Sequence, residues 1–153
     1  MIRKACTEDI KQLIDLLGQL FTLEKDFKAD ALRQRRGLLL LLESERAELF
    51  VAQYDVRVVG MVAGQLLVST SEGAFSLLVE DLVVDRAFRG RGYGAGLLRS
   101  IGEWGYERGA DRMQLLADQH NGAALEFYGR QGWRRTNMIC LRSYMTSGVT
   151  QTR

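Results

Sequence analysis

The spacing of apolar positions changes along this chain, and each change marks an element. Ile2 to Ala5 reads as a short strand. Thr7 stands where a helix cap belongs, and Ile10, Leu13, Ile14, Leu17 and Leu20 recur three and four apart behind it, the spacing of an amphipathic helix. Phe21 to Asp30 shows no clear period and reads as irregular. A second helix is predicted from Ala31 to about Glu43. The period then falls to two. Leu49 to Tyr54 and Val58 to Ala63 are strand-like, Asp55 to Arg57 turns between them, and the second strand can continue through Leu66 to Val68. A polar turn at Ser69 to Gly73 leads to a long strand, Phe75 to Val84. Gly92 to about Arg108 returns to helical spacing, with Leu97, Leu98, Ile101 and Trp104 on its apolar side. Met113 to Ala117 predicts another buried strand. Asn121 then caps a short helix holding Ala124, Leu125, Phe127 and Tyr128, stopped by Gly132. Ile139 to Leu141 with Tyr144 predicts a last strand, and Ser147 to Arg153 a polar tail.

No repeat or linker composition interrupts this order, so residues 1–146 read as one domain with residues 147–153 as its tail. Order and lengths predict the α+β class: a mostly antiparallel sheet of about six to seven strands with helices on both faces. The length of 153 residues and the 46% hydrophobic fraction suffice for a core. The longest aliphatic run, Leu38 to Leu42, is far short of the roughly 20 residues a membrane helix needs. Arg3 and Lys4 followed by Glu8, Asp9 and Lys11 do not resemble a secretory leader.

Inventory narrows the chemistry. One histidine, His120, and two cysteines, Cys6 and Cys140, exclude a multi-histidine metal centre and a cysteine-rich zinc site, so no metal is expected. Without a disulfide framework the chain suits a reducing cytoplasm. Both cysteines are expected to be buried small hydrophobes, and His120 an exposed loop residue. A net charge of +2 demands no nucleic-acid partner. Yet Arg86, Arg89 and Arg91 crowd together beside glycines, and arginine's planar fork of donors suits phosphate oxygens.

Those arginines lie in or beside Arg89-Gly90-Arg91-Gly92-Tyr93-Gly94-Ala95-Gly96, which follows a strand and opens a helix. Without Cβ atoms the backbone can curl so that several N–H groups point at one place, and the helix N-terminus adds positive potential. The segment therefore predicts a diphosphate cradle. Gly90-x-Gly92-x-x-Ala95 formally matches a dinucleotide fingerprint, but only about 58 residues follow Ala95, too few for the second half of such a fold. Short turns before the loop also imply antiparallel pairing. No Gly-Lys-Ser/Thr occurs, so a P-loop is excluded.

Here the chain resembles the GCN5-related N-acetyltransferase (GNAT) superfamily. Arg89-x-x-Gly92-x-Gly94 is similar to its pyrophosphate signature, preceded by the strand Val79 to Val84. Asn121-x-x-Ala124-x-x-Phe127-Tyr128-x-x-x-Gly132-Trp133 is similar to its second block. Ile2-Arg3-x-Ala5-x-x-x-Asp9-Ile10 is typical of its first strand and helix. Locally the pattern is most similar to diamine and polyamine acetyltransferases. The resemblance implies acetyl-CoA as donor. It places Leu82 and Val84 along the pantetheine arm, with a backbone N–H near Val83 on the thioester carbonyl. Gly90, Arg91, Gly92, Tyr93, Gly94 and Ala95, with Arg89, would hold the diphosphate. Asn121, Ala123 and Ala124 would line the cofactor's far side. Homodimers are common in the family, and its proteins often carry a proline between the donor strand and the glycine loop. This chain has no proline, and Asp85 stands in that region, leaving the approach to the loop to Asp85, Arg86 and the strand.

Proton chemistry has few candidates. By alternation Leu78, Glu80, Leu82 and Val84 share one face of their strand, and Leu77, Val79, Asp81 and Val83 the other. A strand covered on both faces would bury one carboxylate on each, and burial without a partner is costly. A desolvated carboxylate has a raised pKa, which suits a general base, so Glu80 is the candidate base, acting directly or through water. Asp81 is expected to pair with an arginine or a backbone donor. Tyr128 stands where the family places the general acid for the thiolate, and Phe127 is the better core residue of that pair. Glu24, Asp26 and Asp30 fall in the segment that often walls the acceptor site in the family, although a solvated charge run is the simpler reading. With no credible Ser or Cys nucleophile, the expected reaction is direct attack of a primary amine on acetyl-CoA in a ternary complex, by an acyltransferase whose acceptor is a small amine. The alternative is a non-catalytic acyl-CoA-binding sensor, which would need neither Glu80 nor Tyr128.

Overall fold

Alternation between residues 47 and 84 builds the middle of a sheet and decides which helix covers which face. The computed structural model describes residues 1–23, 30–146 and 149–151. The chain divides into two compact units, Met1–Leu115 and Leu116–Arg153.

In the first unit β1 (Ile2–Lys4), β2 (Ala47–Tyr54), β3 (Arg57–Ser69), β4 (Ala74–Val84) and β5 (Ala110–Gln114) form one sheet in the order β1-β2-β3-β4-β5. The first three pairings are antiparallel and β4–β5 is parallel. Leu49, Val51, Met61, Ala63 and Val83 face α1 (Ile10–Leu23) and α2 (Ala31–Glu43), forming one cluster with Ile10, Leu13, Leu16, Leu17 and Leu38. Each leucine buried there contributes about 2 kcal/mol. The alternate positions of β3 face α3 (Tyr93–Glu107), so helices cover both faces as the sequence predicts. That second contact is close. A Cβ on Gly64 would lie 2.6 Å from Ile101 Cγ1, and a glycine is what lets the helix approach.

The N-terminal strand is tied in by one carboxylate. Asp9 receives Arg3 Nη1 and Nη2 at 2.8 and 2.9 Å, and the Cys6 N–H at 2.9 Å. Asp9 is buried, and its hydrogen bonds from Arg3 lead the causes that hold its carboxyl below the ordinary carboxylate range. Thr7 is therefore not the cap: it opens a 3-10 turn, Thr7–Asp9, behind Cys6.

Several expectations are corrected. Among the described residues the main sheet has five strands, and β6 (Tyr144–Thr146) and β7 (Val149–Gln151) pair with each other. The last strand thus starts beyond Ile139 to Leu141, and β7 occupies part of the expected tail. Helix α1 runs on to Leu23 through residues expected to be irregular. The fifth strand begins at Ala110 rather than Met113 and is exposed after Ala110, since β5 is a sheet edge. Neither cysteine is buried. Cys6 sits at a turn with its thiol 3.3 Å from Asp9 Oδ2, and Cys140 lies in a stretch, residues 134–143, that is exposed throughout.

In the second unit Asn121 caps α4 (Gly122–Arg130), its Oδ1 accepting the Ala124 N–H at 3.1 Å. The helix ends as its sequence predicts. Gly132 adopts φ +87°, and the Trp133 N–H returns to the Tyr128 carbonyl at 3.0 Å.

Candidate functional site

Strand β4 changes phase where its two carboxylates stand. Ala63 pairs with Glu80 and Met61 with Val83, so Val62 alone opposes both Asp81 and Leu82. This is a β-bulge, and Asp81 takes the left-handed conformation it needs, φ +54°. The simple alternation is therefore wrong beyond Glu80. Val83 falls on the α1 and α2 face, where Ala63 places Glu80, while Val84 pairs with Gly60 on the α3 face. The burial expected of Glu80 is also absent: its side chain is exposed.

Among the described residues no strand pairs with the outer edge of this same stretch of β4. Strand β5 pairs with β4 only from Phe75 to Leu78, so Leu82, Val83 and Val84 lie beyond that pairing. The Asp85 N–H donates to the Val59 carbonyl at 2.8 Å. By alternation Val83 therefore directs its backbone groups at β3 and Val84 directs its own outward. The Val84 carbonyl receives Arg89 Nε at 3.0 Å, which gives Arg89 a partner in the protein itself.

After β4 a 3-10 turn, Arg86–Phe88, leads into the glycine loop. Gly90 and Gly92 adopt φ +73° and +84°, with nothing within 4 Å of where a Cβ would be. Glycine is there for its backbone conformation, not for lack of room. Gly92 is the N-cap of α3 with no side-chain cap, and no acidic residue stands in the first turn. The first intrahelical bond runs from the Gly96 N–H to the Gly92 carbonyl at 3.0 Å, so the N–H groups of Tyr93, Gly94 and Ala95 precede the helix ladder. These uncapped donors at the positive end of a 15-residue helix, on partly buried residues, fit an anion such as a diphosphate.

A brace that sequence reasoning missed holds the approach to this loop. Asp85 Oδ1 accepts the Ala87 N–H at 2.9 Å, and Oδ2 lies 3.4 Å from both Gln19 Nε2 and Arg57 Nη2. Gln19 Oε1 also accepts the Arg86 N–H at 3.4 Å. Phe88 is buried, with Tyr54 at 5.3 Å and the guanidinium carbons of Arg91 and Arg57 at 5.0 and 5.4 Å from its ring centre. The expectation that strand, Asp85 and Arg86 alone set the approach is corrected. Gln19 lies 66 positions from Asp85, and no local pattern signals that pairing.

In the second unit Tyr128 is partly buried, between the rings of Phe127 at 5.3 Å and Trp133 at 5.9 Å. Phe127 and Tyr128 are both partly buried, and neither is a fully buried core residue. Asn121 and Ala123 are exposed and Ala124 partly so. His120 is an exposed loop residue, as expected. Asp30 Oδ1 accepts the Arg33 N–H at 3.1 Å and so caps α2, while Glu24 and Asp26 lie outside the described residues. Among the described residues no group of three or more His, Cys, Asp or Glu side chains could hold a metal ion. No helix among them is long and apolar enough to cross a membrane.

Comparison with known proteins settles the family. Residues 10–133 match the model of the acetyltransferase (GNAT) family, a span containing the bulged strand, the glycine loop and α4. The chain belongs to the GNAT family. This GNAT chain is 25% identical over 140 residues to an uncharacterised N-acetyltransferase of Methanocaldococcus jannaschii, covering 90% of this chain but 62% of that protein. In structure it is similar to a transcriptional regulator from Bacillus halodurans C-125, with a TM-score of 0.82, 25% identity, and coverage of 95% of this chain and 99% of that one. It also shares its fold with an aminoglycoside N-acetyltransferase in complex with CoA, with a TM-score of 0.79 and 17% identity, covering 93% and 92% of the two chains.

Proposed function

We propose that residues 1–146 of this GNAT protein act as one N-acetyltransferase domain, moving the acetyl group of acetyl-CoA to a primary amine by direct attack in a ternary complex. The observation that carries this reading is the start of α3, where uncapped N–H groups follow two left-handed glycines, one 3-10 turn after a strand whose last residues lie beyond the β5 pairing. CoA supplies a diphosphate for those donors and a thioester as the activated acyl group. Gly90 to Ala95, with Arg89 and Arg91, would hold the diphosphate. Leu82, Val83 and Val84 would flank the pantetheine arm, and the resemblance adds Asn121, Ala123 and Ala124 as cofactor-binding residues.

Glu80 takes a proton from the acceptor's ammonium, and the neutral amine so formed attacks the thioester carbonyl. Because its carboxylate is exposed, relay through a water suits it better than direct contact. Tyr128 holds a proton for the departing sulfur, its ring fixed by Phe127 and Trp133. The acceptor is a small amine of the diamine or polyamine type. An exposed carboxylate attracts such a cation without the desolvation that a buried one demands.

Initial rates measured against both substrates test the route. Intersecting double-reciprocal lines are expected, and parallel lines would show a covalent acyl-enzyme instead. Tyr128→Phe should lower turnover about 10²-fold with CoA affinity nearly intact. Unchanged turnover would make Tyr128 a packing residue.

A further inference from the structure

We infer that Phe88 is a positioning residue for the donor site: its ring is a platform that aims Arg91 at the diphosphate. This rests on the acetyl-CoA reading above. The Arg91 guanidinium carbon lies 5.0 Å from the Phe88 ring centre, within cation–π range, and Phe88 precedes Arg91 by three residues. A free arginine on an exposed loop samples many rotamers and must surrender that freedom to hold an anion. An aromatic face fixes the plane of the guanidinium beforehand and leaves its N–H edge available, so ordering precedes binding.

The ring is itself held from several sides. Phe88 is only 8% exposed, and Tyr54 packs on it at 5.3 Å. Arg57 reaches the same ring from the start of β3 at 5.4 Å, and its charge is met by Asp85 at 3.4 Å. Asp85 in turn caps the 3-10 turn that carries Phe88, through the Ala87 N–H. Turn, ring and guanidinium thus form one connected support between α1, the start of β3 and the glycine loop. A core phenylalanine would need none of the arginine contacts, and a solvated arginine would need no ring.

A double-mutant cycle on CoA affinity, read by calorimetry without an acceptor, tests this. Phe88→Leu in the native background should weaken CoA about fivefold, the scale of an exposed cation–π contact. In an Arg91→Gln background the same change should cost almost nothing, because there is no guanidinium left to aim. Phe88→Tyr, which keeps the ring, should retain native affinity. Equal losses from Phe88→Leu in both backgrounds would overturn the inference, since they would mark a packing residue. If Phe88→Leu does not fold, Phe88→Met, closer in volume and also without a ring, takes its place in the cycle. Failure of the native protein to bind CoA at all would overturn the donor reading itself, a result distinct from an additive cycle.

Discussion

Helices α3 and α4 both follow loops that resemble GNAT cofactor motifs, yet their N-termini are finished in opposite ways. Helix α3 starts at a left-handed glycine with no side-chain cap, while α4 starts at Asn121, whose own oxygen takes the Ala124 N–H. Their packing differs in the same sense. Helix α3 buries Leu97, Leu98, Ile101, Trp104 and Gly105, and α4 buries no residue fully. A helix held firmly along its side can leave its first N–H groups to an external anion. A lightly packed helix needs an internal cap to persist. The start of α3 thus leaves its first N–H groups without a side-chain partner, while the start of α4 satisfies one of its own through Asn121.

The contrast can be broken from either side. The largest expected effect is at the face of α3. Gly64→Ala forces a Cβ into Ile101 and should cost about 1–3 kcal/mol, read as a fall in Tm. Gly92→Ala acts at the end of the same helix. Nothing crowds a Cβ there, but left-handed backbone costs a non-glycine residue roughly 1–2 kcal/mol. Relief of that strain by a shift of the loop should weaken CoA about tenfold. If Gly92→Ala left CoA affinity unchanged while Gly64→Ala reduced it, the division between packing and cradle would be wrong. In α4, Asn121→Ala should cost about 1 kcal/mol, seen as faster amide exchange at Ala124 and its neighbours. Full protection in that variant would mean that α4 does not depend on its cap.

The smallest effect is tied to pH. Asp9 is held below its ordinary pKa chiefly by Arg3, so its contribution to stability is complete above the unfolded carboxylate value of about 3.9. That contribution is lost as pH falls from there through the lower folded value. Asp9→Asn should flatten this acid limb of a Tm–pH curve and leave the neutral-pH CoA affinity unchanged. An unaltered limb would point to other carboxylates.

What was legible in the sequence was local. Helix α2 falls on its predicted span because Asp30 caps it and its leucines carry the period, and the glycine loop was readable because its residues are contiguous. The bulge at Asp81 was not. One non-glycine residue in left-handed backbone has no signature beside ordinary strand residues, and it reverses the face of everything after it. Burial of Glu80 failed for a related reason: apolar sequence neighbours on a strand do not ensure that a side chain is covered. The cysteines and strand β5 depart from expectation because apolar residue type does not ensure burial, and both lie where little packs on them. The brace at Asp85 joins positions 66 apart through side chains that sequence alone cannot pair.

The central claim is acetyl transfer from a donor held at the start of α3. Release of the CoA thiol from acetyl-CoA, followed with diamines, polyamines and aminoglycosides as acceptors, tests it most directly. Amine-dependent release with a matching acetylated amine, abolished or much reduced in Tyr128→Phe, is the expected result. Tight CoA binding without release for any amine would contradict it, and would make this GNAT domain a holder of acyl-CoA rather than an enzyme.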